Sequence, residues 1–149
     1  MTDMISIRPI TPADKPAWAK LWQGYLAFYE TELPDEVYDT TFDRLCDPGK
    51  TDQCGLLAVQ GGVPVGLVHY IFHAHNWKQD QVCYLQDLFA APETRGTGVG
   101  RKLIEAVYDA ADAAGAPSVY WMTQDFNTTA RQLYDRIGVL TPFIKYNRP

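Results

Sequence analysis

Between Leu85 and Ile104 a strand-like run, Leu85-Gln86-Asp87-Leu88-Phe89-Ala90, gives way to Arg95-Gly96-Thr97-Gly98-Val99-Gly100 and then to a helix-like run. Alternate glycines between a strand and a helix constrain this chain more than any other feature. Glycine permits positive φ and lets a ligand approach the backbone without a Cβ in the way. The first N–H groups of a helix have no partner inside it. With the helix dipole they make a site for an anion. Arg101 and Lys102 fall in the first helical turn, where a cation opposes the dipole at a cost of up to ~1 kcal/mol each. A bound polyanion reverses that sign, and Arg95 can add a charge-assisted contact to phosphate. The run lacks the Gly-Lys-Ser/Thr of the nucleotide P-loop. Its GxGxG spacing also departs from the GxGxxG dinucleotide fingerprint, and no acidic residue ends a following strand.

The remaining elements read as alternating strands and helices. Ile5 to Ile10 alternates apolar and polar residues as a first strand. Thr11 can cap the next helix, with Pro12 at its first position. Trp18, Leu21, Trp22, Tyr25, Leu26 and Tyr29 recur at helical spacing. A second helix is predicted from Pro34 to Cys46, with Val37, Phe42 and Leu45 inward, stopped by Asp47-Pro48-Gly49. Leu56 to Gln60, Gly61-Gly62 and Val65 to His73 read as a hairpin. Val82 to Ala90 is another strand and Val99 to Ala114 an amphipathic helix closed by Gly115. Ser118 to Thr123 reads as a strand, Asn127 to Ile137 as a helix, and Phe143 to Tyr146 as a last strand. The expectation is one α/β layered domain over residues 1–149, with a mixed sheet and helices on both faces.

Global properties narrow the function. At 149 residues the chain has the length of one ordinary domain. A net charge of -5 argues against nucleic acid, which wants a basic face, and suits an amine substrate by steering. No apolar run reaches the ~20 residues of a membrane span, and the start shows no secretion signal. Three cysteines, with no CxxC pair, fit a reducing cytoplasm better than a disulfide framework or a zinc site. His69, His73 and His75 are separated by four and two residues, even numbers that put them on one face of a strand; no cysteine or carboxylate completes a metal set there. No metal is expected.

Arg95-x-x-Gly98-x-Gly100 resembles the Q/R-x-x-G-x-G/A signature of the GNAT superfamily of acetyl-CoA-dependent N-acetyltransferases. Leu85 to Ala90 looks like that family's fourth strand, and Pro92 stands before the Arg as it does there. Asn127, Ala130 and Tyr134 fall where the family tends to place Asn, Ala and Tyr. Gly115 to Trp121, Leu133-Tyr134 and Ile144-Lys145-Tyr146 look like the branch of yeast histone and D-amino-acid acetyltransferases. The Gln-Asp-Leu-Phe strand is similar to the polyamine acetyltransferases. The resemblance implies a GNAT fold with a mostly antiparallel mixed sheet, and acetyl-CoA as cosubstrate.

The same resemblance assigns roles. Leu88, Phe89 and Ala90 would offer backbone groups to the pantetheine arm, with the N–H of Phe89 facing the developing oxyanion. Gly96, Thr97, Gly98, Val99, Gly100 and Arg101, with Arg95, would hold the pyrophosphate. Asn127 would contact the cofactor from the other side, and Ala130 would allow close approach. Tyr134 would be the general acid, since a phenol of pKa ~10 keeps its proton at neutral pH. Polyamine-type relatives have Glu where this chain has Gln86, which cannot take a proton. Asp87 is then the candidate base or ammonium holder. Adjacent strand residues face opposite ways, so Gln86 and Asp87 share the acceptor side only across a bulge. Tyr25, Tyr29 and Glu30 would line the acceptor pocket.

The implied reaction is direct transfer to a primary amine in a ternary complex, the acceptor being an amino acid, a polyamine or another small amine. Two alternatives stay open: transfer to a protein or histone lysine, and a non-catalytic acyl-CoA-binding regulator. A homodimer joined through the C-terminal strands is also implied.

Overall fold

The computed structural model describes residues 4–149; Met1 to Asp3 lie outside the described residues. Five strands form one sheet in the order β1-β2-β3-β4-β5. They are β1 (Ile5–Pro9), β2 (Gln53–Gln60), β3 (Val63–His73), β4 (Val82–Ala90) and β5 (Val119–Tyr120). The first four run antiparallel and β5 runs parallel to β4. The helices are α1 (Lys15–Phe28), α2 (Asp35–Cys46), α3 (Val99–Ala113) and α4 (Thr128–Ile137).

Strand alternation divides the core between the two faces of the sheet. Leu57, Leu67 and Phe89 pack with Trp18, Leu21, Trp22 and Leu26 of α1 and Phe42 of α2. On the other face Val68, Tyr70, Cys83 and Leu85 pack with Val99, Leu103, Ile104 and Val107 of α3. The spacing expected of both helices is thus met by burial. Gly24 and Gly66 allow close approach: a Cβ on Gly24 would stand 2.8 Å from the ring of Phe89, and one on Gly66 2.8 Å from Val99. At the N-terminal end, Asp14 closes a capping box with Thr11 and takes both nitrogens of Arg8 at 2.8 and 2.9 Å.

The C-terminal end departs from expectation. No strand forms over Phe143 to Tyr146, and β5 keeps only Val119 and Tyr120 of the run expected from Ser118 to Thr123. A strand needs a neighbour for its backbone groups, and the tail pairs with no strand among the described residues. Val139, Leu140, Phe143, Ile144 and Tyr146 are instead 72–90% exposed.

Candidate active site

The glycine turn is built from backbone geometry. Gly96 and Gly98 sit at φ +86° and +88°, a region that favours glycine, and a Cβ on either would meet no atom within 4 Å. The first helical bond of α3 runs from the N–H of Lys102 to the carbonyl of Gly98 at 3.0 Å. The N–H groups of Val99, Gly100 and Arg101 precede that bond and have no carbonyl one helical turn back. This open concavity of unpaired donors fits a diphosphate. Thr97 does not share in it. Its N–H and its hydroxyl both donate to the carbonyl of Thr94, so it shapes the turn rather than facing outward. Arg95 stands exposed beside the turn with its guanidinium 5.9 Å from the ring centre of Phe89. Arg101 pairs with Glu105 at 3.3 Å, which offsets part of its conflict with the helix dipole.

A slot opens along β4. Only Cys83 and Tyr84 pair with β5, whereas β3 pairs with β4 as far as Ala90. Past Tyr84 the far edge of β4 is therefore free for an extended ligand. Pairing phase decides which amides face it. The N–H of Ala91 donates to the carbonyl of Val65 at 2.8 Å. Hydrogen-bonded pairs alternate along an antiparallel ladder, so Phe89 also turns its backbone groups toward β3, opposite Leu67. The carbonyl of Phe89 lies 2.9 Å from a Cβ built on Gly66, in agreement. Phe89 is thus not the outward N–H donor that was expected. Leu88 and Ala90 present their backbones to the slot.

A bulge interrupts the β3–β4 ladder next to Asp87. His69 pairs with Asp87 and Tyr70 with Leu85, leaving Gln86 as the extra residue. Gln86 is exposed and Asp87 is buried, 8% accessible. A small cavity beside the bulge is lined by Tyr25, Tyr29, Leu85, Gln86, Leu88, Trp121, Met122 and Tyr134. Tyr134 thus meets the bulge, Tyr25 of α1 and Tyr29 just past it across one space. Its phenol is pushed up to about 12, by burial first and then by Tyr29. Tyr25 is raised by burial first and then by the charge of Asp87, and its hydroxyl donates to the carbonyl of Gln86 at 3.5 Å. Burial also raises Tyr29 and Tyr84, and Asp87 adds to both. Glu30, at φ +54° just past α1, is exposed and does not line the cavity.

The profile of the acetyltransferase (GNAT) family matches residues 18–139. The chain belongs to the GNAT acetyltransferases. This acetyltransferase is 41% identical to the D-amino-acid N-acetyltransferase HPA3 of Saccharomyces cerevisiae, over 99% of the chain and 92% of the relative. It is 35% identical to the thialysine N-epsilon-acetyltransferase of Bos taurus over 79 residues, 53% of the chain and 46% of that protein. In structure it superposes on an aminoglycoside N-acetyltransferase AAC(6')-Iy in complex with CoA, with a TM-score of 0.85 at 18% identity, covering 99% and 95% of the two chains.

Other expected residues of the acetyltransferase take local positions. Asn127 caps α4 by accepting the N–H of Ala130 at 3.4 Å, and its amide reaches Thr123 at 3.3 Å. Gly100 adjoins α4, since a Cβ there would lie 3.4 Å from Leu133. The three histidines do not act as a set. His69 is buried, His73 meets the hydroxyl of Tyr120 at 2.7 Å, and His75 accepts the N–H of Trp77 beyond the strand. No group of three possible metal ligands occurs among the described residues. Sequence reading did not single out Trp18, Trp121 or Met122 for the site. The helical spacing of Trp18 says only core, and the place of Trp121 and Met122 at the cavity depends on which strands meet.

Proposed function

We propose that this acetyltransferase moves the acetyl group of acetyl-CoA to the primary amine of a small molecule, an amino acid or related amine, without a covalent enzyme intermediate. The observation that carries the acceptor class is Asp87, a buried carboxyl group next to the bulge whose charge raises Tyr25, Tyr29 and Tyr84. A carboxylate among aromatic faces suits an ammonium ion. The acceptor activities named for the yeast and bovine relatives, a D-amino acid and thialysine, belong to the same class.

The thioester supplies the acyl group. Amides of Gly96, Gly98, Val99, Gly100 and Arg101 hold the diphosphate with Arg95, and Leu88 and Ala90 bond the pantetheine arm along the free edge of β4. The N–H of Leu88 stands nearest the bulge and donates to charge growing on the acyl oxygen. Asp87 binds the incoming ammonium and takes its proton, directly or through water. Tyr134 donates from its hydroxyl toward the departing sulfur. Gln86 lines the entrance and orients the acceptor.

A thiol-release screen over D- and L-amino acids, thialysine, diamines, polyamines and histone peptides tests this reading. Turnover with a free amino acid or small amine supports it. Turnover confined to peptides favours a protein lysine acceptor, and coenzyme A binding without any turnover favours a non-catalytic regulator.

The exposed tail and the unpaired outer edge of β5 support a homodimer in which each tail covers the other copy, since open strand edges invite pairing. Truncation after Gly138 is then expected to leave a monomer by light scattering. A location in the cytoplasm accords with three free cysteines. No helix among the described residues is long and apolar enough to cross a membrane.

A further inference from the structure

Asp87 does not stand alone beneath the acceptor site. Its Oδ2 lies 2.8 Å from Nδ1 of His69, its cross-strand partner. The Nε1 of Trp18 lies 2.9 Å from Nε2 of the same imidazole. All three residues are buried, Trp18 at 0%, His69 at 5% and Asp87 at 8% exposure. An indole N–H can only donate. Nε2 of His69 must therefore accept, and the ring proton sits on Nδ1, where it donates to the carboxylate. A second ring proton on Nε2 would point into the indole N–H. Two indoles flank the imidazole: the rings of Trp18 and Trp22 have centroids 5.9 and 5.8 Å from it.

From this row the geometry points to His69 as a positioning residue for Asp87, with Trp18 as the group that fixes the tautomer of His69. The inference rests on the reading that Asp87 engages the acceptor amine, and adds what aims it. His69 occupies one carboxylate oxygen from below and stops rotation of the carboxyl group. The other carboxylate oxygen is left for a ligand, and the charge of Asp87 is felt by Tyr25, Tyr29 and Tyr84. His69 is not a base in this arrangement, because its only acceptor nitrogen is engaged by a fully buried indole. The signal in the sequence was too weak to find this row. Trp18 and His69 are 51 residues apart, and their meeting depends on α1 lying across β3.

A double-mutant cycle with Asp87 tests the inference. His69→Leu keeps bulk and removes the donor. It is expected to lower kcat/KM for the acceptor about 10–100-fold and to leave the acetyl-CoA KM within about threefold, the scale of a lost hydrogen bond to a charged group. In an Asp87→Asn background the same change is expected to cost little more, since the two act as one unit. His69→Asn, whose amide can replace the Nδ1–H donor, should recover part of the loss. Additive effects in the cycle would overturn the positioning role, because a merely structural histidine has no reason to depend on Asp87. If Asp87→Asn alone leaves acceptor kinetics unchanged, the reading of Asp87 fails instead.

Histidine nitrogen NMR gives a readout independent of turnover and of whether the leucine variant folds. The intact protein should show His69 neutral with its proton on Nδ1, and Trp18→Phe should release that tautomer. A proton found on Nε2 of His69 in the intact protein would overturn the inference.

Discussion

Replacing Tyr134 by Phe removes one hydroxyl and keeps the ring. The ring packs edge-on to Trp121 with centroids 5.5 Å apart, so packing survives the change. No hydrogen bond among the described residues engages the hydroxyl, and stability should change by less than about 0.5 kcal/mol. The catalytic loss can be bounded from acidity. Burial holds this phenol at about 12, whereas an ordinary thiol titrates at ~8.5. Complete proton transfer from phenol to thiolate is then uphill by roughly 5 kcal/mol. Tyr134 therefore stabilises departing sulfur by partial donation, which belongs at the lower end of the ~10²–10⁴-fold range of general acid catalysis. Single-turnover measurement should show acetyl transfer slowed about 100-fold, or roughly 3 kcal/mol of barrier, with acetyl-CoA affinity within about threefold. Because the phenol keeps its proton, Tyr134 should contribute no falling limb to the rate between about pH 6 and 10. An unchanged transfer rate would remove Tyr134 from the mechanism.

Gly24→Ala sets helix propensity against packing. Alanine should gain about 1 kcal/mol in α1, but its Cβ would stand 2.8 Å from Cζ of Phe89, and overpacking costs about 1–3 kcal/mol. The expected net is a lower melting temperature and a higher acetyl-CoA KM, because Phe89 is carried by the strand edge that holds the arm; a raised melting temperature would contradict this. At Asp14 the hydrogen bond from Arg8 leads the causes that hold the carboxyl well below the usual carboxylate range. Its stabilising effect is present above the unfolded value of ~3.9 and fades as pH falls toward the folded one. Urea melts of wild type and Asp14→Asn should differ at pH 7 and begin to converge only as pH falls below about 4, and a gap that stays constant as the acid range is titrated would argue against the linkage.

What could be read in advance was local. The glycine turn announces itself because φ > 0 and the missing helix partners are properties of neighbouring residues. The need for a bulge was also legible, since Gln86 and Asp87 make opposite demands on one strand. What stayed hidden depends on pairing between distant segments. The phase of the β3–β4 ladder turns the N–H of Phe89 inward and brings His69 under Asp87. Thr97 lies in the signature, yet both its donors close the turn. The run from Phe143 to Tyr146 reads as a strand, yet it pairs with no strand among the described residues.

Everything else depends on the diphosphate resting against the opening of α3. Gly98→Val places a branched side chain at φ +88°, with no protein atom within 4 Å of its Cβ. The protein should still fold, at a backbone cost of about 1–3 kcal/mol. Titration calorimetry of wild type and variant, with coenzyme A and with pantetheine lacking the diphosphate, reads the consequence directly. Coenzyme A should bind the variant at least about tenfold more weakly, as expected for one charge-assisted hydrogen bond lost, while pantetheine binds both alike. Equal affinity of the two proteins for coenzyme A would contradict the account.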